Sequence, residues 1–413
     1  MKVVFFNCLM IAGVVFPWLL YSAVTVGVDV FLDEGYEQSL KGKTIGLVTN
    51  HTGINRDFIL TSDLLKKRSF TLGALFCPEH GLKGEAYAFE KVAHAKDSSG
   101  IPIYSLHGET RRPTETMLKG LDVILYDIQD IGVRAYTYAT TLFYVMEEAA
   151  KRNIEVIVLD RPNPMGGMVV DGPMLDESFR SFIGYINVAY CHGMTIGELA
   201  HFFNEEYHLK CRLKVVPMKG WKRSMVFADT DLQWIPPSPH IPESTTPFFC
   251  ASTGILGEID LVNIGIGYTL PFKVVGAEWI NADEFAEALN KQKLPGVEFV
   301  PFHYRPFYGS YKGLDCHGVL IVIKDALQYR PLSVQFILLG ILKSLYPKEF
   351  EKKISAMTAP KKRLFCLASG SDQALLILEK EKYATWKLLE LDRIKTEDFF
   401  KKRQKYLRRE YQE

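Results

Sequence analysis

The 413-residue chain lacks most of the short signatures that assign a chemistry at sight. None of its seven cysteines forms a Cys-x-x-Cys pair, which disfavours zinc ribbons and thioredoxin-type redox sites. The turn after the first apolar run, "TNHTGIN", holds one glycine where a dinucleotide fingerprint needs three, so a nicotinamide cofactor is not expected. A phosphate loop ending in Gly-Lys-Ser/Thr is missing, as is the Gly-x-Ser-x-Gly elbow of serine hydrolases. His51, His80, His94, His107 and His192 include no helical i,i+4 pair with an adjacent acid, which argues against a hydrolytic metal. Charge of one sign is lacking too. With 49 basic and 48 acidic residues the net charge is +1, and no general field is available to hold nucleic acid or an anionic membrane. The basic tail "KKRQKYLRREYQE" reads as the solvated face of a last helix, interleaved with Phe399, Tyr406 and Leu407.

Long apolar runs are confined to the start. Lys2, then "VVFFNCLMIAGVVFPWLL", then small residues around Ser22 and Ala23 make an export-signal pattern over residues 1–24. Its apolar stretch nearly reaches bilayer-spanning length, so a retained membrane anchor is the alternative. Either way the remainder is expected outside the cytoplasm, periplasmic or extracellular. The six cysteines beyond Cys8 are too scattered for a disulfide framework and read mostly as small buried hydrophobes.

Four short β-branched runs, "KTIGLVTNHTG" (43–53), "TLGALFCPEHG" (71–81), "DVILYDIQDIG" (122–132) and "IEVIVLDRPNP" (154–164), resemble strands buried on both faces. Helical patterns follow the first and the third, which predicts an open α/β sheet. Ligands bind such sheets at the carboxyl ends of the strands. There the sequence places Asn50, Glu79 with His80, Asp127 with Gln129 and Asp130, and Asp160, Arg161 and Asn163. "HGMTIGELAHFFNEEY" predicts a helix with Thr195 and Glu198 as a capping box. "WIPPSPHIPESTTPFF" (234–249), with five prolines, predicts neither helix nor central strand, but a stiff linker or a cleft wall. From about residue 250 shorter elements, including "HGVLIVIKD" and "SVQFILLGILKSLY", predict a second α/β domain. The expected division is 1–24, 25–245 and 246–413.

Glycoside hydrolysis suits this inventory, because one acid must be kept protonated to assist the leaving oxygen, and partial desolvation at a strand end does so. Glu79 occupies such a place. Gln129 can hydrogen-bond sugar hydroxyls or an acetamido group, and Arg134 or Arg161 can hold a substrate carboxylate. The bland alternative for "DIQD" is a helix cap paired with Arg134.

The strings "GLVTNHTGI", "PEHGLKGE", "DIQDIGVRAYTY", "LDRPNPMGG", "DGPML" and "HGMTIGELA" resemble, in order and spacing, the NamZ-type exo-β-N-acetylmuramidases, bacterial peptidoglycan hydrolases. The match is dense over residues 43–200 and thinner through "PPSPHIP", "GEID" and "YTLPF". The resemblance implies a Rossmann-like N-terminal domain with a mostly parallel sheet and no nucleotide cofactor, a smaller C-terminal α/β domain, and a cleft between them. It implies release of N-acetylmuramic acid from the non-reducing end of peptidoglycan sugars, with Glu79 as the catalytic acid. Asn50, His80, Asp127, Gln129, Arg134, Tyr136, Asp160, Arg161, Asn163 and His192 fall on motif positions as substrate-binding or scaffold residues. The substrate's 2-acetamido group, or a partner such as Asp127, would complete the catalysis. One run departs from the family. Where relatives carry a stretch of the kind Ser-Glu-Gly-Arg-Gly-Thr, this chain has Asn263, Ile264, Gly265, Ile266, Gly267 and Tyr268. Replacement of an acid and an arginine by isoleucines implies altered specificity, or a peptidoglycan-sugar-binding homologue with weakened turnover. Glu258 is a possible wall residue.

Overall fold

Ten strands organise the described residues: β1 (Thr44–Thr49), β2 (Thr71–Cys77), β3 (Ala95–Lys96), β4 (Pro102–Ser105), β5 (Val123–Asp127), β6 (Glu155–Leu159), β7 (Leu213–Val216), β8 (Val274–Ala277), β9 (Val297–Tyr304) and β10 (Cys316–Ile323). The structure, a computed structural model, describes residues 23–412, so the expected leader or anchor over 1–24 lies almost wholly outside the described residues. The four sequence-read runs are β1, β2, β5 and β6. They sit side by side in a seven-stranded sheet of order β3-β4-β2-β1-β5-β6-β7. Every pairing is parallel except β3 with β4.

The period-two alternation of side chains explains the two-sided core. Within β5, Val123 and Leu125 pack toward the helices Gly27–Asp33 and Thr61–Lys67. Ile124 and Tyr126 pack toward the helices Thr137–Ala150 and Ile196–Glu206. Both faces are covered, which is why the strands read as continuous apolar runs. The parallel strands follow the doubly wound order, with its switch between β1 and β5, where Asn50 follows the end of β1 and Asp127 ends β5.

The second unit is a three-stranded antiparallel sheet, β8-β10-β9, packed with the helices Thr246–Glu258, Ala282–Asn290 and Pro331–Leu345. The proline-rich segment ends earlier than its composition predicts. Thr246 to Phe249 already belong to a helix, because Pro247 sits in the first turn, where its missing N–H has no intrahelical partner to lose.

The tail also differs from the solvated helix expected of it. Helix Arg393–Arg403 buries Phe399 and Arg403, and the chain then returns to the large sheet, burying Tyr406, Leu407 and Tyr411. Arg403 donates to the carbonyls of His192 and Gly167, each at 3.1 Å, and of Gly193. All six cysteines from Cys77 onward are free thiols, five of them buried.

Candidate active site

Glu79 is presented by a turn that follows β2. The Pro78 carbonyl accepts the Gly81 N–H at 3.0 Å, and His80 between them has a φ of 70°. That left-handed conformation is uncommon for a residue with a side chain, and it is held here by two contacts to the next loop. The Ala86 N–H donates to the His80 carbonyl at 3.2 Å, and His80 Nδ1 lies 2.8 Å from the Ala86 carbonyl. The same loop fixes the acid: the Phe89 N–H donates to Glu79 Oε1 at 3.0 Å. From the other side the Thr137 hydroxyl, at the start of the Thr137–Ala150 helix, donates to Oε2 at 2.8 Å. Glu79 is 6 % exposed, and His107 Nε2 stands 3.6 Å from its Oε1. Burial pushes the His107 imidazole down, against the opposing pull of the Glu79 carboxylate.

Glu79, His80 and Tyr136 open into a cleft of about 470 Å³ between the two units. Ser238 to Ile241 form one wall, so the proline-rich segment is cleft wall and not merely linker. The second unit contributes Glu258, Asp260, Asn263, Ile264, Ile266, Phe272 and the loop Gly309–Tyr311. The run that departs from the family is therefore at the site itself, and both of its isoleucines face the cavity. Gly265 and Gly267 hold its path, with φ of 83° and 89°. A Cβ at either would come within 2.0 Å of a backbone oxygen, of Leu270 or Tyr308, so neither position takes a side chain. Phe89, 66 % exposed, stands at the mouth.

The tyrosine hydroxyl of Tyr136 is buried without a hydrogen-bond partner among the described residues, as are Asn50 Nδ2 and Asp130 Oδ1. Of the three only Tyr136 lines the cleft, where a bound sugar or ordered water would satisfy its hydroxyl. Burial raises the Asp130 carboxyl to about 7.

The other expected contacts are placed behind the cleft. Arg161 donates to both Asp127 oxygens, at 2.5 and 3.0 Å, and to the Ile54 carbonyl at 2.7 Å, while Thr61 donates to Asp127 as well. The guanidinium expected to hold a substrate acid is thus taken up by a buried ion pair spanning the ends of β1, β5 and β6. Arg134 reaches the carbonyls of Pro173, Val188 and Ser369, and joins the first unit to helix Ala359–Ser369. Its partner is not the "DIQD" segment. Gln129 donates to the Asp130 and Pro162 carbonyls, beside a separate cavity of about 180 Å³ that it shares with Arg161. Asp160 accepts from Thr195, Gly197 and Tyr411, and Asn163 bridges Met194 and Met165. Asn50 Oδ1 accepts from Thr52. Thr195 and Glu198 form the expected capping box, and Glu198 also pairs with Arg223 and receives the Arg408 N–H.

His192 accepts the Met194 N–H at Nδ1 and is pushed down to about 3, first by burial and then by the charges of Arg403 and Arg134. An unfolded histidine takes up its proton near 6.5, whereas this one stays neutral while folded. Its contribution is therefore complete above about pH 6.5 and declines as pH falls toward 3. In urea unfolding at about pH 7.5 and 4.5, the His192→Gln variant is expected to lose less of its midpoint on acidification than the parent protein.

Against known proteins, a family profile described as "Exo-beta-N-acetylmuramidase NamZ, N-terminal" matches residues 45–245, and its C-terminal counterpart matches 249–408. The chain belongs to the NamZ family. The peptidoglycan β-N-acetylmuramidase NamZ of Bacillus subtilis is 41 % identical over 330 residues, 79 % of each chain. A DUF1343 family protein from Bacteroides fragilis superimposes with a TM-score of 0.87 at 40 % identity, over 93 % of this chain and 98 % of that one. A second from the same organism gives 0.69 at 27 % identity, over 95 % and 100 %. The family's two-part α/β architecture is the one described above.

Proposed function

We propose that the protein is a peptidoglycan glycosidase that releases N-acetylmuramic acid from the non-reducing end of glycan fragments, with Glu79 as general acid. The observation that carries this reading is Glu79 itself. It is buried and held by Thr137 and Phe89, and it opens into an inter-domain cleft in a chain 41 % identical to a peptidoglycan β-N-acetylmuramidase. Asp127 is withdrawn into its ion pair and is not available as the second catalytic group. The roles left are the substrate's acetamido group as internal nucleophile, and a second carboxyl group from the second unit's side of the cleft, Glu258, or Asp260, which is paired with Lys361. The basic, apolar and small-residue pattern of residues 1–24 supports action outside the cytoplasm.

The isoleucines in the cleft favour a second reading, a sugar-binding protein with weakened turnover. Release of nitrophenol from 4-nitrophenyl N-acetyl-β-muramide separates the two. Steady turnover by the wild-type protein supports the hydrolase, and calorimetric binding without turnover supports the binding protein.

A further inference from the structure

A general acid touches the oxygen that the departing sugar keeps, so what surrounds its carboxyl group also faces that sugar. Two residues hydrogen-bond to the Glu79 carboxylate, and they differ in exposure. Thr137 is buried, whereas Phe89 is largely exposed and lines the cleft at its mouth. A single exposed phenylalanine is ordinary, but one on a strained backbone is not. Phe89 has a φ of 65°, uncommon for a bulky side chain.

The loop around it is tied down on both sides. Ala86 is bonded to His80, and the Val92 N–H donates to the His107 carbonyl at 2.9 Å. Between them the Tyr87 N–H donates to Glu90 Oε2 at 2.9 Å, and the Glu90 N–H returns to the Tyr87 carbonyl at 3.1 Å. Phe89 belongs to none of the hydrophobic clusters among the described residues, so its side chain does not serve the core. A fixed backbone thus presents an apolar aromatic group to solvent, one hydrogen bond away from the acid. The faces of a pyranose that carry C–H bonds are apolar and weakly positive, and the negative face of an aromatic ring receives them.

We propose that Phe89 is the platform for the sugar on the leaving side of the scissile bond, in peptidoglycan an N-acetylglucosamine residue. The inference rests on the glycosidase reading above. It gives the cleft a preference for muramyl residues still linked to a further sugar over those carrying a small aglycone. Stacking on Phe89 holds the leaving oxygen against Glu79, so contact with a sugar that does not react is felt in the transition state.

The test compares the disaccharide N-acetylmuramyl-β-1,4-N-acetylglucosamine with methyl N-acetyl-β-muramide, followed by release of N-acetylmuramic acid. The methyl glycoside keeps the muramyl sugar whole, lactyl carboxylate included, and also leaves as a basic alkoxide. The wild-type protein is expected to favour the disaccharide in kcat/KM by at least about tenfold. Phe89→Ala keeps the N–H that holds Glu79, and is expected to cut that preference at least about fivefold while kcat/KM for the methyl glycoside stays within about threefold. Phe89→Tyr keeps the ring and should keep the preference. Equal losses on both compounds in Phe89→Ala overturn the inference, because the loop then acts only through Glu79. A preference that Phe89→Ala leaves unchanged also overturns it, the sugar then being held elsewhere, as on the His240 ring beside Tyr308. So does a Phe89→Tyr variant that loses the preference as the alanine variant does. Each of these leaves the glycosidase reading standing. If neither compound is cleaved, nor the disaccharide bound by the Glu79→Gln variant, the glycosidase reading falls and the inference with it.

Discussion

Glu79→Gln is expected to lower kcat on a muramyl disaccharide by roughly 10²–10⁴-fold, the usual contribution of a positioned general acid. The substitution is close to isosteric: the amide oxygen can keep the Phe89 N–H, and the Thr137 hydroxyl can turn to accept from the amide nitrogen, so the turn and the cleft should keep their shape. The discriminating measurement is the leaving group. A sugar hydroxyl departs as a strong base and needs the proton in the transition state, whereas nitrophenolate departs almost unaided. Loss on the nitrophenyl glycoside should therefore be at least tenfold smaller than loss on the disaccharide. Equal losses would show that Glu79 acts through binding or folding. Circular dichroism and the urea midpoint of the variant establish that the comparison is made on folded protein.

How far the site was legible depended on whether a residue's surroundings are local. β1, β2, β5 and β6 stand out because strands covered on both faces are short unbroken apolar runs, and the polar residues ending them are adjacent in sequence. Glu79 and His80 follow directly from that rule. β3, β4 and β7 did not stand out: two to four residues long, with β4 opening on Pro102, they carry too little pattern. His107 was counted among the histidines near the cleft, but missing β4 hid its contact with the Glu79 carboxylate, which forms only once β4 pairs beside β2. The "YTY" motif marks Tyr136, yet Thr137 next to it, a direct partner of Glu79, went unread because threonine at a helix start looks like a cap.

The opposite error has the same origin. Asp160, Asn163 and Asp127 are the residue types that bind sugars, and they are also those that cap helices and turn chains. Only the folded arrangement shows Asp160 tied to Tyr411, 251 residues away, or the Arg403 guanidinium gathering carbonyls from Gly167 to Gly193. Everything the second unit brings to the cleft depends on how the two units dock, and no local pattern encodes that.

Arg161→Ala separates the two roles that a guanidinium at this strand end can have. Asp127 is fully buried, and Arg161 is 6 % exposed, so removing the cation leaves a carboxylate with only the Thr61 hydroxyl to answer it. Breaking a buried pair in this way costs about 3–5 kcal/mol, one of the largest effects a single substitution has. The urea midpoint should drop accordingly. Asp127→Leu combined with Arg161→Met should recover part of the loss, because neither charge is then stranded. Recovery should stop short of the parent value, since the Ile54 carbonyl and the Thr61 hydroxyl lose their partners. Kinetics supply the second half of the test. If Arg161 held the lactyl carboxylate, the double variant would raise KM for 4-nitrophenyl N-acetyl-β-muramide. With Nε and one terminal nitrogen committed to Asp127 and Ile54, and Arg161 lining the separate cavity beside Gln129 and not the cleft, KM for this glycoside should stay within about threefold of the parent, well below the step a lost charged hydrogen bond would produce.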